Sequence, residues 1–300
     1  MAAFPVPRYL ADTAQRERGV REWIAALPAL VADLAGQWSL RVGKPFQPGG
    51  QCSWTAPASG PDGASLVLKL AFRFGSGEER DEAAGLRVWD GHGTVRLHAH
   101  LDTESAQVLL LERCLPGTPL GHARPEPEQD QVVAGLLSRL WARPHTAYPF
   151  RSLAEMCAAW ADEFERDYAA APAADRIDPG LARAGIAVWR ELPTTASSHV
   201  LLCTDLHGDN ILAAQREPWL VIDPKPYVGD PAYDVVQHMM NCEDRLAEDP
   251  AALADRMAGL AGLGADRVRQ WLFARAVQES VGSPLMRRVA GTLSRHIDAA

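Results

Sequence analysis

Cys203-Thr204-Asp205-Leu206-His207-Gly208-Asp209-Asn210-Ile211-Leu212, followed one short segment later by Ile222-Asp223-Pro224-Lys225, is the stretch on which the fold turns. An Asp stands five residues before an Asn, and a second Asp closes the apolar run Trp219-Leu220-Val221-Ile222. Asn and Asp offer hard oxygen donors suited to magnesium, and a carboxylate beside them can take the proton of an alcohol. Phosphoryl transfer needs both: an acceptor for the hydroxyl proton and oxygen ligands that hold a divalent ion against the phosphates. Asp205 fits the first task, and Asn210 and Asp223 fit the second. An Asp-x-x-x-x-Asn spacing alone arises by accident. Its weight here comes from the second Asp and from Asn210 being one of only two Asn in the chain.

A matching upstream half exists in Val67-Leu68-Lys69-Leu70, a Lys within an apolar strand. The chain carries 27 Arg and three Lys (Lys44, Lys69, Lys225), so a Lys is a choice worth explaining. A compact ammonium reaches phosphate oxygens as a point charge where a planar guanidinium would not fit. Lys69 is therefore the candidate phosphate-binding cation. Glu82, on the helix expected after this strand, is its candidate ion-pair partner, with Glu78 and Glu79 as alternatives. The turn Pro48 to Ser53, between the first two expected strands, can set backbone N–H groups and Ser53 over phosphates.

Working outward, residues 12–38 have apolar positions near a helical period, with Pro28 expected to kink or split the helix. Short strands are expected at 40–42, 52–56 and 65–70 as an antiparallel meander, then a helix over 78–89 and two strands at 94–101 and 106–113. Two prolines and two glycines in Cys114 to Gly121 suit a connector. Beyond it, helices are expected at 128–142, 151–170, 179–191, 232–242, 250–260, 265–280 and 284–297, interrupted by Val200-Leu201-Leu202 and Trp219 to Ile222 as a small hairpin. The organisation is α+β: residues 1–113 a sheet lobe with one inserted helix, 114–122 a linker and 123–300 a mainly helical lobe.

The 300 residues, 47% hydrophobic and 23% charged, exclude disordered and fibrous classes. A net charge of -8 without a basic patch disfavours a nucleic-acid partner. No apolar run spans a bilayer and the first ten residues lack a leader pattern, so a cytoplasmic location without membrane association is expected. Five scattered cysteines without a C-x-x-C pair argue against a disulfide framework or a zinc site.

The Asp205/Asn210/Asp223 set resembles the catalytic loop and metal-binding Asp of protein-kinase-like phosphotransferases. With Arg21 to Pro28, Leu86 to Gly91, Leu109 to Arg113, Asp205 to Leu212, and Ile222 to Lys225 through Gly229 to Asp234, the chain resembles the aminoglycoside phosphotransferase superfamily, in its streptomycin 6-phosphotransferase and hydroxyurea phosphotransferase branch. The resemblance implies a two-lobed protein-kinase-like fold, with a five-stranded antiparallel N-lobe carrying one inserted helix and a helical C-lobe. It implies ATP with adenine on the backbone of Glu112, Arg113 and Cys114, Mg²⁺ on Asn210 and Asp223, and Asp205 as catalytic base. It also implies a Lys69–Glu82 ion pair, Asp230 as the carboxylate bracing the loop, and an acceptor held by C-lobe helices.

The expected function is ATP- and Mg²⁺-dependent phosphorylation of a hydroxyl on an antibiotic, with an aminoglycoside such as streptomycin as first choice; the negative balance favours such a cation. Hydroxyurea, a tuberactinomycin and an amino sugar are the alternative acceptors. Asp205, Asp234, Gln278 and Glu279 are the candidate acceptor contacts. The chain departs from the branch at Cys203, where relatives carry His, and at Thr204, where they carry Gly or Trp. These departures motivate the alternative of a nucleotide-binding pseudokinase scaffold. His207 is read as ordering the loop, and Lys225 as steadying a phosphate or pairing with a carboxylate.

Overall fold

Along Ser65–Phe72 the apolar residues fill both faces of a strand: Leu66, Leu68 and Leu70 point one way, Val67, Lys69 and Ala71 the other. A computed structural model of the chain, describing residues 4–74, 81–145 and 148–297, divides it into two compact units, Met1–Gly117 with Ala213–Leu220 and Thr118–Leu212 with Val221–Ala300. The first unit contains helices α1 (Arg8–Arg16), α2 (Arg18–Gln37) and α3 (Glu82–Trp89), and strands β1 (Arg41–Val42), β2 (Ser53–Ser59), β3 (Ser65–Phe72), β4 (Leu97–Asp102) and β5 (Ala106–Glu112). The strands form one antiparallel sheet in the order β1-β2-β3-β5-β4, with α3 inserted between β3 and β4.

One face of this sheet is a core. Leu66, Leu68 and Leu70, with Trp54, Ala56, Val108 and Leu110, pack against Leu10, Val20, Trp23, Leu27, Val31 and Leu34 of the two N-terminal helices. Each fully buried leucine contributes about 1.5–3 kcal/mol to holding that layer. Lys69 lies on the other face, between Thr55 and Leu109 in register. The pleat thus separates the strand's structural residues from its single charge.

The helix break falls at Glu17, in extended conformation, and not at Pro28, which sits inside a continuous α2. A proline interior to a helix costs about 3 kcal/mol. Trp23, Leu27, Val31 and Leu34 around it are buried against the sheet and offset that cost.

The second unit holds α4 (Leu120–Ala123), α5 (Glu126–Trp141), α6 (Leu153–Ala170), α7 (Pro179–Glu191), α8 (Pro231–Asp234), α9 (Val236–Met240), α10 (Glu243–Glu248), α11 (Pro250–Ala261), α12 (Ala265–Gln278) and α13 (Pro284–Ile297). The helix expected over 232–242 is two short helices meeting at Val235. The small hairpin is also different. Strand β6 (Val200–Leu202) pairs with β9 (Tyr227–Gly229), while β7 (Ile211–Ala213) pairs with β8 (Trp219–Val221), giving two short ladders. The chain between them carries Asp205, Asn210 and Asp223.

Trp189 and Trp271 are fully buried and meet Tyr233 edge-on, with ring centroids 5.1–5.9 Å apart. Their indole N–H groups donate to the Cys157 carbonyl and the Asp230 carboxylate, as buried indoles require. Asp130, fully buried on α5, accepts from His238, Arg245 and Arg256 at 2.6–3.0 Å, tying α5 to α9, α10 and α11. Burial alone would raise its pKa, but these three partners hold the Asp130 carboxyl well below the usual aspartate range. No helix among the described residues is long and apolar enough to cross a membrane.

Candidate functional site

The sheet unit supplies a buried ion pair. Lys69 Nζ donates to both carboxylate oxygens of Glu82 at 2.8 and 2.7 Å, and the two residues are only 6% and 2% exposed. Glu82 opens α3, which places its carboxylate over the sheet face that Lys69 occupies. Glu78 and Glu79 lie outside the described residues.

Other candidates of this unit are engaged in structure. The Glu112 carboxylate accepts from Arg216 at 2.8 Å and from the Arg96 N–H at 3.0 Å, which outweigh burial and lower its pKa. Arg216 also donates to the Gly91 and Thr94 carbonyls, anchoring the loop 213–220. The Glu112 and Arg113 N–H groups go to the Arg96 and Ser65 carbonyls. Cys114 is buried, and its thiol is pushed up to about 12 by desolvation and the neighbouring Glu112 charge. Ser53 starts β2, its hydroxyl 3.4 Å from that of Thr55. The turn before it is tied to the N-terminal segment: Tyr9 N–H donates to the Pro48 carbonyl, and Gly49, at φ +77°, lies where any Cβ would meet Pro7 at 2.4 Å.

In the helical unit the catalytic-type loop is built around Asp234. Its carboxylate, fully buried, accepts the N–H of Cys203 at 2.9 Å, the N–H of Thr204 at 2.6 Å and the indole N–H of Trp141 at 2.9 Å. This corrects two expectations. Asp234 has no exposed surface to offer an acceptor, and it, not Asp230, braces the loop. Asp230 caps α8 through the Ala232 N–H and accepts from Arg267 and Trp271. Burial pushes the Asp234 carboxyl up to about 6 despite its three donors.

The brace has work to do. Thr204 has φ +53°, a conformation that costs a β-branched residue about 1–3 kcal/mol. The Asp234 bond and the Thr204 hydroxyl's 2.6 Å bond to the Lys225 carbonyl hold it there. Cys203 is completely buried, and desolvation with the Asp234 charge keeps its thiol protonated far above neutrality.

Asp205, Asn210 and Asp223 come together on this scaffold. Asn210 donates its side-chain amide to the Asp205 carbonyl at 2.9 Å and approaches its carboxylate at 3.5 Å, and the Asn210 carbonyl accepts the Ile222 N–H at 2.9 Å. With the amide nitrogen so used, the Asn210 side-chain oxygen is the atom left to meet a cation. Asp223, at φ +51°, pairs with Lys225 through Oδ1. A carboxylate that already attracts a cation, beside an amide oxygen, is a donor set that fits Mg²⁺. Burial pushes the Asp205 carboxyl above the ordinary aspartate range, with Asp223 adding to the rise, while Lys225, His207 and Arg275 draw it back. His207 accepts the Asp209 N–H through Nδ1 at 3.3 Å, and its Nε2 lies 4.0 Å from Asp205, which suits a loop-ordering part.

A cavity of about 380 Å³ in the helical unit is lined by Trp160, Glu163, Asp167, Arg275, Gln278 and Glu279 among others. Gln278 and Glu279 therefore do face an open space. Sequence reading missed Arg275, whose guanidinium stacks 4.5 Å from the Trp160 ring centroid and bonds Gln278 and, at 2.9 Å, Glu279. Its only forewarning was a basic residue in the last turn of an apolar helix.

Comparison with known proteins agrees with this fold. The model of the aminoglycoside/hydroxyurea antibiotic resistance kinases matches residues 39–283. A streptomycin 6-kinase of Streptomyces glaucescens is 34% identical over 97% of this chain and 96% of its own length, and a hydroxyurea phosphotransferase of Kitasatospora aureofaciens is 34% identical over 92% and 79%. Among solved structures, an aminoglycoside phosphotransferase of Streptomyces rimosus in complex with ADP and streptomycin shares the fold, at TM-score 0.56 and 19% identity over 86% of this chain and 99% of that one. A sheet unit with its buried ammonium and a helical unit with its carboxylate loop are thus a protein-kinase-like phosphotransferase for hydroxyl acceptors, and the chain belongs to the aminoglycoside/hydroxyurea antibiotic resistance kinase family.

Proposed function

We propose that this chain moves the γ-phosphoryl group of ATP to a hydroxyl of a cationic antibiotic, with streptomycin as the first choice of acceptor. The observation that carries the reading is the Trp160 cavity, lined by the carboxylates of Glu163, Asp167 and Glu279, the last paired with the Arg275 guanidinium that covers the Trp160 ring. Carboxylates suit guanidinium or ammonium groups, and the streptomycin 6-kinase that matches nearly the whole chain supports the same choice. Arg275, which lines the cavity, also lies within electrostatic reach of Asp205.

In this reading Asp205 takes the proton of the acceptor hydroxyl. The acceptor oxygen bonds to the γ-phosphorus as the bond from that phosphorus to the β–γ bridging oxygen breaks, and ADP leaves. Lys69, kept extended by Glu82, meets the phosphate oxygens, and the turn before Ser53 covers them. Adenine lies along Glu112, Arg113 and Cys114; since the sheet takes the first two N–H groups, Cys114 supplies the donor. Residues 114–122 act as the hinge. Asn210 and Asp223 would hold Mg²⁺, which when bound neutralises phosphate charge. Gln278 and Glu279 orient the acceptor through their bonds to Arg275.

The test is a mass-spectrometric screen with ATP and Mg²⁺ against streptomycin, hydroxyurea, a tuberactinomycin and an amino sugar. Phosphorylated streptomycin, lost in Asp205→Ala, is the expected result. Turnover of another acceptor without streptomycin rejects the acceptor, and nucleotide binding without transfer to any of them favours the scaffold reading.

A further inference from the structure

Lys225 is one of three lysines in a chain with 27 arginines, and its ammonium rests on the carboxylate assigned to the divalent ion. We infer that Lys225 is a resident counter-cation: it holds Asp223 while no divalent ion is bound, and it yields that carboxylate to the ion and turns to the phosphoryl group being transferred. The inference rests on the reading of Asp223 as a metal ligand and deepens it.

Three observations support it. Both side chains are about one-third exposed, at 34% and 37%, so the pair is not sealed in a core. Its charge reaches Asp205 as well as Asp223, so the same cation borders the base and the ion seat. The backbone beneath it is fixed to the loop, since the Lys225 N–H donates to the Cys203 carbonyl at 2.9 Å and its carbonyl accepts the Thr204 hydroxyl at 2.6 Å.

The residue type is what such a device needs. A guanidinium fork would grip both carboxylate oxygens and resist displacement, whereas a point charge on a flexible stem can exchange one oxygen for another. A divalent ion and an ammonium compete for the same negative charge, so the pair must separate when the ion arrives. During transfer the acceptor proton goes to Asp205, the acceptor oxygen–phosphorus bond forms and the bond to ADP breaks. Lys225 keeps its own protons and offsets charge on the phosphoryl oxygens.

Lys225→Met separates the two halves of the inference. Mn²⁺ binding to the nucleotide-free protein, read from the electron paramagnetic resonance signal of the free ion, is expected to tighten by roughly tenfold in Lys225→Met, because a competing positive charge is gone. The kcat with the acceptor found in the screen is expected to fall more than about tenfold with KM for ATP changed less than about threefold. Mn²⁺ binding no tighter than in the wild type, including none detected in either protein, overturns the counter-cation, and an unchanged kcat overturns the contact with the phosphoryl group. If the gain in Mn²⁺ affinity survives in Asp223→Asn/Lys225→Met, the ion sits elsewhere and it is the Asp223 assignment that falls. Thermal unfolding checks that the variant folds; should Met not be tolerated, Lys225→Gln carries the same measurements.

Discussion

Replacing Asp234 by Asn sets burial against hydrogen bonding at the brace of the loop. The wild-type carboxyl is pushed by burial from 3.8 to about 6. Keeping it ionised at neutral pH therefore costs about 3 kcal/mol. Between these two values the native state holds a proton that the unfolded state has released. Protons bound by the native state then exceed those bound by the unfolded state, and the unfolding free energy falls as pH rises through the window, levelling off above about 6. Asn carries no charge and escapes this cost. Its NH₂ must, however, face one of the three N–H donors of Cys203, Thr204 and Trp141, a conflict worth about 1–3 kcal/mol. At pH 7.5 the two effects nearly cancel, so the variant should be within about 1 kcal/mol of the wild type. At pH 4 the wild type should exceed it by an additional amount of about 2 kcal/mol. Urea unfolding at stepped pH, followed by tryptophan fluorescence, gives the difference curve, in which Asp130 and the other shifted acids cancel. Catalytic transfer should fall at least about tenfold at pH 7.5, because Thr204 loses a support for its left-handed backbone. A difference curve that is flat, or that rises with pH, would mean that the three donors outweigh burial, and the reasoning would be wrong.

Two further outcomes follow from packing. Lys69→Met takes the ammonium away from the Glu82 carboxylate, only 2% exposed, and should cost about 3–5 kcal/mol, while Lys69→Met/Glu82→Leu should recover most of it. Calorimetry that finds the single variant within about 1 kcal/mol of the wild type contradicts a buried pair. A Cβ at Gly185 would lie 2.4 Å from Val277 where α7 crosses α12, so Gly185→Ala should destabilise by about 1–3 kcal/mol and Gly185→Ala/Val277→Ala by less; equal losses in denaturant melts would dismiss the clash.

Sequence made β3 and Lys69 legible because strand alternation is local: six apolar neighbours isolate one cation, and the pleat decides its face. Asp205, Asn210 and Asp223 were legible as a set because their spacing is held by two short strands and one turn. What was not legible depends on distance along the chain. Pro28 reads as a break from its own ring, but its fate was decided by α2 burying four large side chains on the sheet. Arg275 could not be foreseen, because its partner Trp160 lies on another helix far away in sequence.

Asp230 and Asp234 illustrate the same limit more sharply. Asp230 precedes the short helix α8 and Asp234 ends it, and in sequence either carboxylate can cap or brace. Which one turns to the loop depends on where β6 delivers residues 203 and 204, a tertiary fact. Once that is known, Cys203 and Thr204 read as one arrangement. Both backbone N–H groups end on the Asp234 carboxylate, the small thiol fills a closed space, and the Thr204 hydroxyl adds a bond to the Lys225 carbonyl that a glycine could not make. That bond links the backbone just before Asp205 to the backbone just after Asp223. Thr204→Gly would relieve the strained φ yet loosen this link, so it should leave stability nearly unchanged while lowering kcat, a split that points to Thr204 as a device for holding the base against the ion seat.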